Sequence, residues 1–171
     1  LTIKPATGVT PTISGSNATN LIRLDGADYI IFDGSNTTSG TSKDLTISNT
    51  NTGGSTFTFI NDASNNTIQN SIVQSVNFNN NTGTILFSTG VTTGNDNNTI
   101  QNCDLKDGAT TPWNAIYSGG TTTTVTQNNS GNTVTGCNIY NYFNATGTQA
   151  CVNLGLGNTY WTISNNKFYQ T

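Results

Sequence analysis

The phrase Asn-Thr-Ile-Gln-Asn-Ser at 66–71 returns almost unchanged as Asn-Thr-Ile-Gln-Asn-Cys at 98–103. Looser copies read Asn-Thr-Val-Thr-Gly-Cys at 132–137 and Trp-Thr-Ile-Ser-Asn-Asn at 161–166. Ile-Ile-Phe-Asp-Gly-Ser at 30–35 and Leu-Thr-Ile-Lys-Pro at 1–5 are divergent copies. The central apolar residues Ile3, Phe32, Ile68, Ile100, Val134 and Ile163 are spaced by 29, 36, 32, 34 and 29 residues. A period of this length marks a repeat architecture. One unit cannot bury its apolar face alone, so its neighbours must stack on it.

A second apolar phrase precedes each copy, at 21–26, 56–60, 84–88, 115–119 and 152–155. A third, shorter strand follows, carrying Ile13, Ile47, Val73, Leu105, Ile139 and Phe168. Short β-branched or aromatic clusters closed by Gly or Asn read as strands and turns. Three short strands per repeat, with connections of uneven length, predict an all-β right-handed parallel β-helix of about five to six coils. Stacked coils lie about 4.8 Å apart, so equivalent residues line up in ladders. Gly34, Asn70, Asn102, Gly136 and Asn165 fall at one corner and are expected there at positive φ. Stacked Asn amides bond along the axis. Thr67, Thr99, Thr133 and Thr162 are expected to form an outward row, and Phe168 to lie in the core.

Asn and Thr fill 62 of 171 positions, and charged residues only 8 %, a balance that raises disorder as an alternative. The clustering and alternation of the apolar residues argue against it. A net charge of −3 with five Lys and Arg supplies no basic patch for nucleic acid. No run of about 20 apolar residues offers a transmembrane helix, so membrane insertion is not expected. His is absent, which removes the commonest general base and metal ligand.

Leu-Thr-Ile-Lys-Pro, Tyr-Ile-Ile-Phe-Asp-Gly-Ser and the Asn-Thr-Ile-x-Asn-Cys phrases resemble the pectin-lyase-like superfamily of right-handed β-helices. More narrowly, the chain resembles Asn/Thr-rich modules of large secreted or surface proteins of gliding, type IX-secreting bacteria. The resemblance covers essentially the whole chain and implies its fold. It does not choose an activity, because the superfamily includes lyases, hydrolases, esterases, tailspikes and adhesins. Hydrolase chemistry in such a fold implies clustered Asp with an essential His, and there is no His. Lyase chemistry implies several Asp on one face holding calcium. The eight Asp are scattered, with Asp25, Asp28 and Asp33 beside Arg23 the nearest approach to a cluster. Asp at such strand ends ordinarily serves turns. No catalytic residue is therefore assigned.

Cofactors are not expected, calcium at Asp96 within the Gly-Asn-Asp-Asn-Asn run at 94–98 being the one metal candidate. Cys103 and Cys137 occupy one repeat position and should stack inward, as buried free thiols in preference to a disulfide. Trp113, Tyr142 and Trp161 are the candidates for stacking on sugar rings. The Thr row raises an ice-binding face as a further alternative, although uneven coil lengths disfavour a flat plane. Long connections at 50–55, 74–83, 88–97, 106–114, 118–131 and 141–149 are where recognition is expected, chiefly in coils three to five.

Residues 1–171 read as a single β-helix domain that continues into flanking coils or domains of a longer polypeptide. The expected role is a non-enzymatic structural or adhesive segment, secreted or on the cell surface, with surface glycans as partners. The alternative is a carbohydrate-binding or polysaccharide-cleaving β-helix whose site is incomplete here.

Overall fold

The computed structural model describes residues 1–145 and 147–171. Thr146, inside the expected recognition loop 141–149, lies outside the described residues. The chain winds through about five turns, each laying one strand on each of three parallel sheets. The first coil is β1 (Thr2–Ile3), β2 (Thr12–Gly15) and β3 (Asn20–Asp25), and the second is β4 (Ile31–Asp33), β5 (Leu45–Asn49) and β6 (Ser55–Ile60). The third is β7 (Thr67–Gln69), β8 (Ser71–Ser75) and β9 (Ile85–Phe87), and the fourth is β10 (Thr99–Gln101), β11 (Asp104–Asp107) and β12 (Asn114–Ser118). A short bridging strand β13 (Asn129–Ser130) leads into β14 (Thr133–Thr135), β15 (Asn138–Tyr140) and β16 (Ala150–Leu154). After its partner β17 (Asn158–Thr159), the chain adds β18 (Thr162–Ser164) and β19 (Lys167–Tyr169). A 3-10 turn at Val125–Gln127 is the one helical element among the described residues.

The repeat spacing sets the register. Ile3, Phe32, Ile68, Ile100, Val134 and Ile163 pair in one column of the first sheet. Ile13, Ile47, Val73, Leu105, Ile139 and Phe168 do so in the second. The third sheet adds Phe57, Ile85 and Ile116, with Phe59 stacked on Phe87 at 4.5 Å and 10° between planes. Within coils two to five the members of the first two columns are sealed from solvent. Phe168 keeps the inward register but is 50 % exposed, because the last coil is covered on one side only. The core expected at that position is thus half open.

The corner column is correct in position but mixed in cause. Asn70, Asn102, Gly136 and Asn165 have φ of 52°, 47°, 65° and 56°. Gly34 stands in the same column without positive φ. A Cβ there would lie 2.0 Å from the Asn70 carbonyl oxygen, so close approach of the next coil excludes a side chain. The amide of Asn102 donates to Asn70 Oδ1 at 2.7 Å, and that of Asn70 to Asp33 at 2.8 Å.

A second, buried ladder runs through the Asn that opens each phrase. Asn66, Asn98 and Asn132 are almost wholly buried. The side-chain amides of Asn66 and Asn98 each donate to the next Oδ1, at 3.0 and 3.1 Å. Each Oδ1 also accepts the backbone N–H of the coil before it: Ile30 to Asn66, Asn66 to Asn98 and Asn98 to Asn132, at 2.9–3.0 Å. The remaining amide protons reach the carbonyls of Ala27, Ala63 and Asn95. A parallel pair, Asn95 and Asn129, repeats the pattern at 2.9 Å. Much of the Asn therefore replaces backbone partners at the bends, where sheet pairing stops. Buried donors and acceptors must be paired somewhere, and a short side chain carrying both meets that need.

Candidate functional site

On the outer face of the first sheet, Asp33, Gln69, Gln101 and Thr135 pair in register and floor a groove of about 570 Å³. The Gln101 amide donates to Gln69 Oε1 at 2.6 Å. Residues 35–44 wall the groove as a strap across successive coils. Its Thr41 carbonyl accepts from Asn102, its Gly40 carbonyl from Asn70, and its Lys43 pairs with Asp104. Inside the strap the Asn36 backbone N–H and the Ser42 hydroxyl bond Asp44 and hold its carboxyl below the ordinary value. Asp33 is the one carboxylate lining the groove among the described residues, and Lys4 Nζ lies 3.9 Å from it. The groove presents amides, hydroxyls and one carboxylate, a set suited to binding polar ligands.

Thr67, Thr99, Thr133 and Thr162 form the expected column, half-buried except Thr162. The adjacent outward column reads Asp, Gln, Gln, Thr and Ser, and the strap overhangs it. The face is a walled channel, not a uniform Thr plane.

Asp96 is half-buried. Desolvation pushes its carboxyl pKa up, with nearby Asp62 adding to the shift and the Ser130 N–H, bonded at 2.8 Å, opposing it. Asp62 itself receives three successive backbone N–H groups from Val91, Thr92 and Thr93. Both carboxylates are thus engaged in pinning loops. Among the described residues no group of three or more Asp, Glu, Cys or His gathers around a common point.

The three aromatic candidates are not brought together. Tyr142 is 3 % exposed and belongs to the core, its hydroxyl 2.9 Å from Thr84 Oγ1. It is not a stacking platform; two residues past β15 the chain turns it inward, into the core cluster. Burial raises its phenol pKa strongly. Trp161 is half-buried on the last coil, edge-on to Phe87 at 4.9 Å, with its indole N–H donating to the Asn129 carbonyl at 3.0 Å. Trp113, itself half-buried, lines two grooves at the corner joining the second and third sheets, whereas Tyr142 and Trp161 each line the edge of one other. Phe78, Asn80, Asn81 and Tyr117 border the same grooves. Residue-by-residue reading missed these four. The signal for them was the stack of long connections at one corner.

Cys103 and Cys137 are buried and free, the Cys103 backbone N–H directed at Cys137 Sγ at 3.4 Å. Burial drives the Cys103 thiol well above its ordinary pKa. Such a thiol packs as a small apolar group and is a poor nucleophile.

Fold and register together define a parallel β-solenoid with three sheets per coil. No family model, no curated protein and no solved structure matches the chain.

Proposed function

We propose that this solenoid is a non-catalytic structural and adhesive segment of a large secreted or cell-surface bacterial protein, akin to pectin-lyase-like β-helices in fold and not in chemistry. The supporting observation is how its polar groups are spent. The buried amides of Asn66, Asn98 and Asn132 bond from coil to coil, and Asp33, Asp44, Asp62, Asp96 and Asp104 each accept bonds that fix a loop or corner. Stiffness along the axis is what such an arrangement delivers. The test is deletion of this segment from the parent gene, with antibody labelling of intact cells. Surface labelling of the parent strain and lost attachment on deletion are expected. Release of reducing ends from polysaccharides by the purified chain would overturn the reading in favour of a polysaccharide-cleaving enzyme. Carbohydrate binding is favoured as the adhesive chemistry by the two uncharged grooves that Trp113 lines.

A further inference from the structure

The corner between the second and third sheets carries chemistry that the scaffold does not use. Trp113 is fixed there by its backbone: its N–H donates to the Asn77 carbonyl at 2.8 Å, and its carbonyl accepts from Ala150 at 3.2 Å. Next to it, the buried Asn114 amide holds the carbonyls of Asn80 and Thr82 at 3.1 and 2.7 Å. The loop bearing Phe78, Asn80 and Asn81 is also held from within. Asn77 Oδ1 accepts from the Asn79 N–H and the Thr82 hydroxyl, and Asn79 Oδ1 from the Asn81 N–H, at 2.7–3.0 Å. Phe78 meets the indole edge-on at 5.1 Å and is 54 % exposed. Grooves of about 460 and 410 Å³ share Trp113 and Asn80 in their linings, the first reaching toward Thr52 and the second toward Asn153. The side chains of Asn80, Asn81 and Tyr117 make no hydrogen bond to the protein among the described residues. No charged residue lines either groove among them.

We propose that this corner is a binding site for a neutral polysaccharide, with consecutive pyranose units seated in the two grooves that share Trp113. It rests on the adhesive reading and names its ligand. A pyranose ring presents C–H bonds on its faces and hydroxyls around its rim. The faces suit Trp113, Phe78 and Tyr117, and the hydroxyls suit the free amides of Asn80 and Asn81. An aromatic platform with a few directed polar groups on a held loop keeps the ordering cost of binding small. A uronate chain finds no cation in this lining, and a nucleic acid would stack here but leave its phosphates unneutralised.

The test uses the full chain carrying Trp161→Phe, so that Trp113 is the sole fluorescent indole. Neutral cello-, xylo-, manno-, laminari- and N-acetylchito-oligosaccharides are titrated beside oligogalacturonate. A saturable emission shift is expected with at least one neutral oligomer, binding at least about tenfold tighter than its monosaccharide. Calorimetry of Trp113→Ala in the native background should show at least about a tenfold loss, with circular dichroism unchanged. No response to any neutral oligomer at about 10 mM, undiminished binding by Trp113→Ala, or tighter binding of oligogalacturonate would each overturn the site. Attachment that is lost on deleting the segment but untouched by Trp113→Ala sinks the site and leaves the adhesive reading. Neutral-sugar binding with unimpaired attachment on deletion does the reverse.

Discussion

Asn98→Ala tests the buried amide ladder at its centre. The side chain is fully buried and takes part in four hydrogen bonds. It donates to the Ala63 carbonyl and to Asn132 Oδ1, and it accepts the backbone and side-chain N–H groups of Asn66, all at 2.9–3.1 Å. The substitution does not orphan every partner. Asn66 Nδ2 keeps the Ala27 carbonyl, and Asn132 Oδ1 keeps the Asn98 backbone N–H. Two groups lose their only partner: the Asn66 backbone N–H and the Ala63 carbonyl. Each orphaned buried group costs about 1–3 kcal/mol, so the loss is about 2–6 kcal/mol before any cavity contribution. For a chain of this length each kcal/mol moves Tm by about 2–4 °C, which sets the expected drop at about 4–24 °C. Differential scanning calorimetry measures it, with Thr122→Ala in an exposed loop as the control. A drop smaller than about 3 °C would refute the reasoning. Asn98→Asp adds a pH signature. Its ionised carboxylate would face the Ala63 carbonyl and Asn132 Oδ1, so its folded-state pKa lies above the unfolded value of about 3.9. Below that value both states are neutral. Above it the unfolded state ionises first, and stability falls by about 1.4 kcal/mol per pH unit until the folded group follows. The wild type carries a decline of the same sign from its raised Asp96 carboxyl, so the signature is the additional fall of the variant relative to wild type.

The two corner glycines should separate by cause. Gly136→Asn restores the residue its column favours at positive φ, and the nearest atom to a Cβ there is 3.9 Å away, so denaturant midpoints should barely move. Gly34→Asn drives a side chain into the Asn70 carbonyl and should cost about 1–3 kcal/mol or more in urea unfolding. Equal effects would refute the assignment. Asp44 contributes stability to its strap that is present above the unfolded carboxylate pKa of about 3.9 and is lost as pH falls through its lower folded value. The Asn36 amide shift, followed by NMR, should inflect below about 3.9, and an inflection above that value would exclude the bond. Cys103, sealed and held protonated, should resist a thiol-specific disulfide reagent at pH 8 until urea is added. Rapid labelling of the native chain at Cys103, located by mass spectrometry, would contradict its burial.

The columns of the first two sheets were legible in the sequence because one inward residue per strand recurs at a fixed place in each phrase. A shift of one residue would turn Ile68 or Ile100 outward, so the apolar pattern leaves no second register. Phe168 shows the limit of that logic. Its direction followed from the pattern, whereas its exposure depends on how many coils cover it. Gly34 shows another, since glycine satisfies both positive φ and close approach, and only distances distinguish them. Tyr142 was unreadable for a different reason. It lies past the end of a strand, where alternation no longer fixes the facing, and its burial depends on Thr84 from two coils earlier. The Asn66–Asn98–Asn132 ladder sat in plain view at the head of each phrase. Asn serves corners, loops and buried ladders alike, so its identity alone does not choose among them.

Uneven coil lengths and an even core are two sides of one constraint. Spacings from 29 to 36 residues leave the strand registers in step, so every inserted residue goes to a bend. A bend entering or leaving a buried sheet carries backbone groups that the sheet no longer pairs. Here Asn49, Asn66, Asn77, Asn95, Asn98, Asn114, Asn129 and Asn132 lie buried at those bends. All but one of them make hydrogen bonds to backbone groups of the coil before or after, and Asn77 bonds within its own loop. Once an Asn pins the two ends of a loop, the residues between are released from any structural duty. The corner around Trp113 shows the result: Asn77 and Asn114 hold the bend, while Phe78, Asn80 and Asn81 face outward with nothing to support. High Asn content, the property that first suggests disorder, is on this account what lets a rigid stack carry loops that differ from coil to coil.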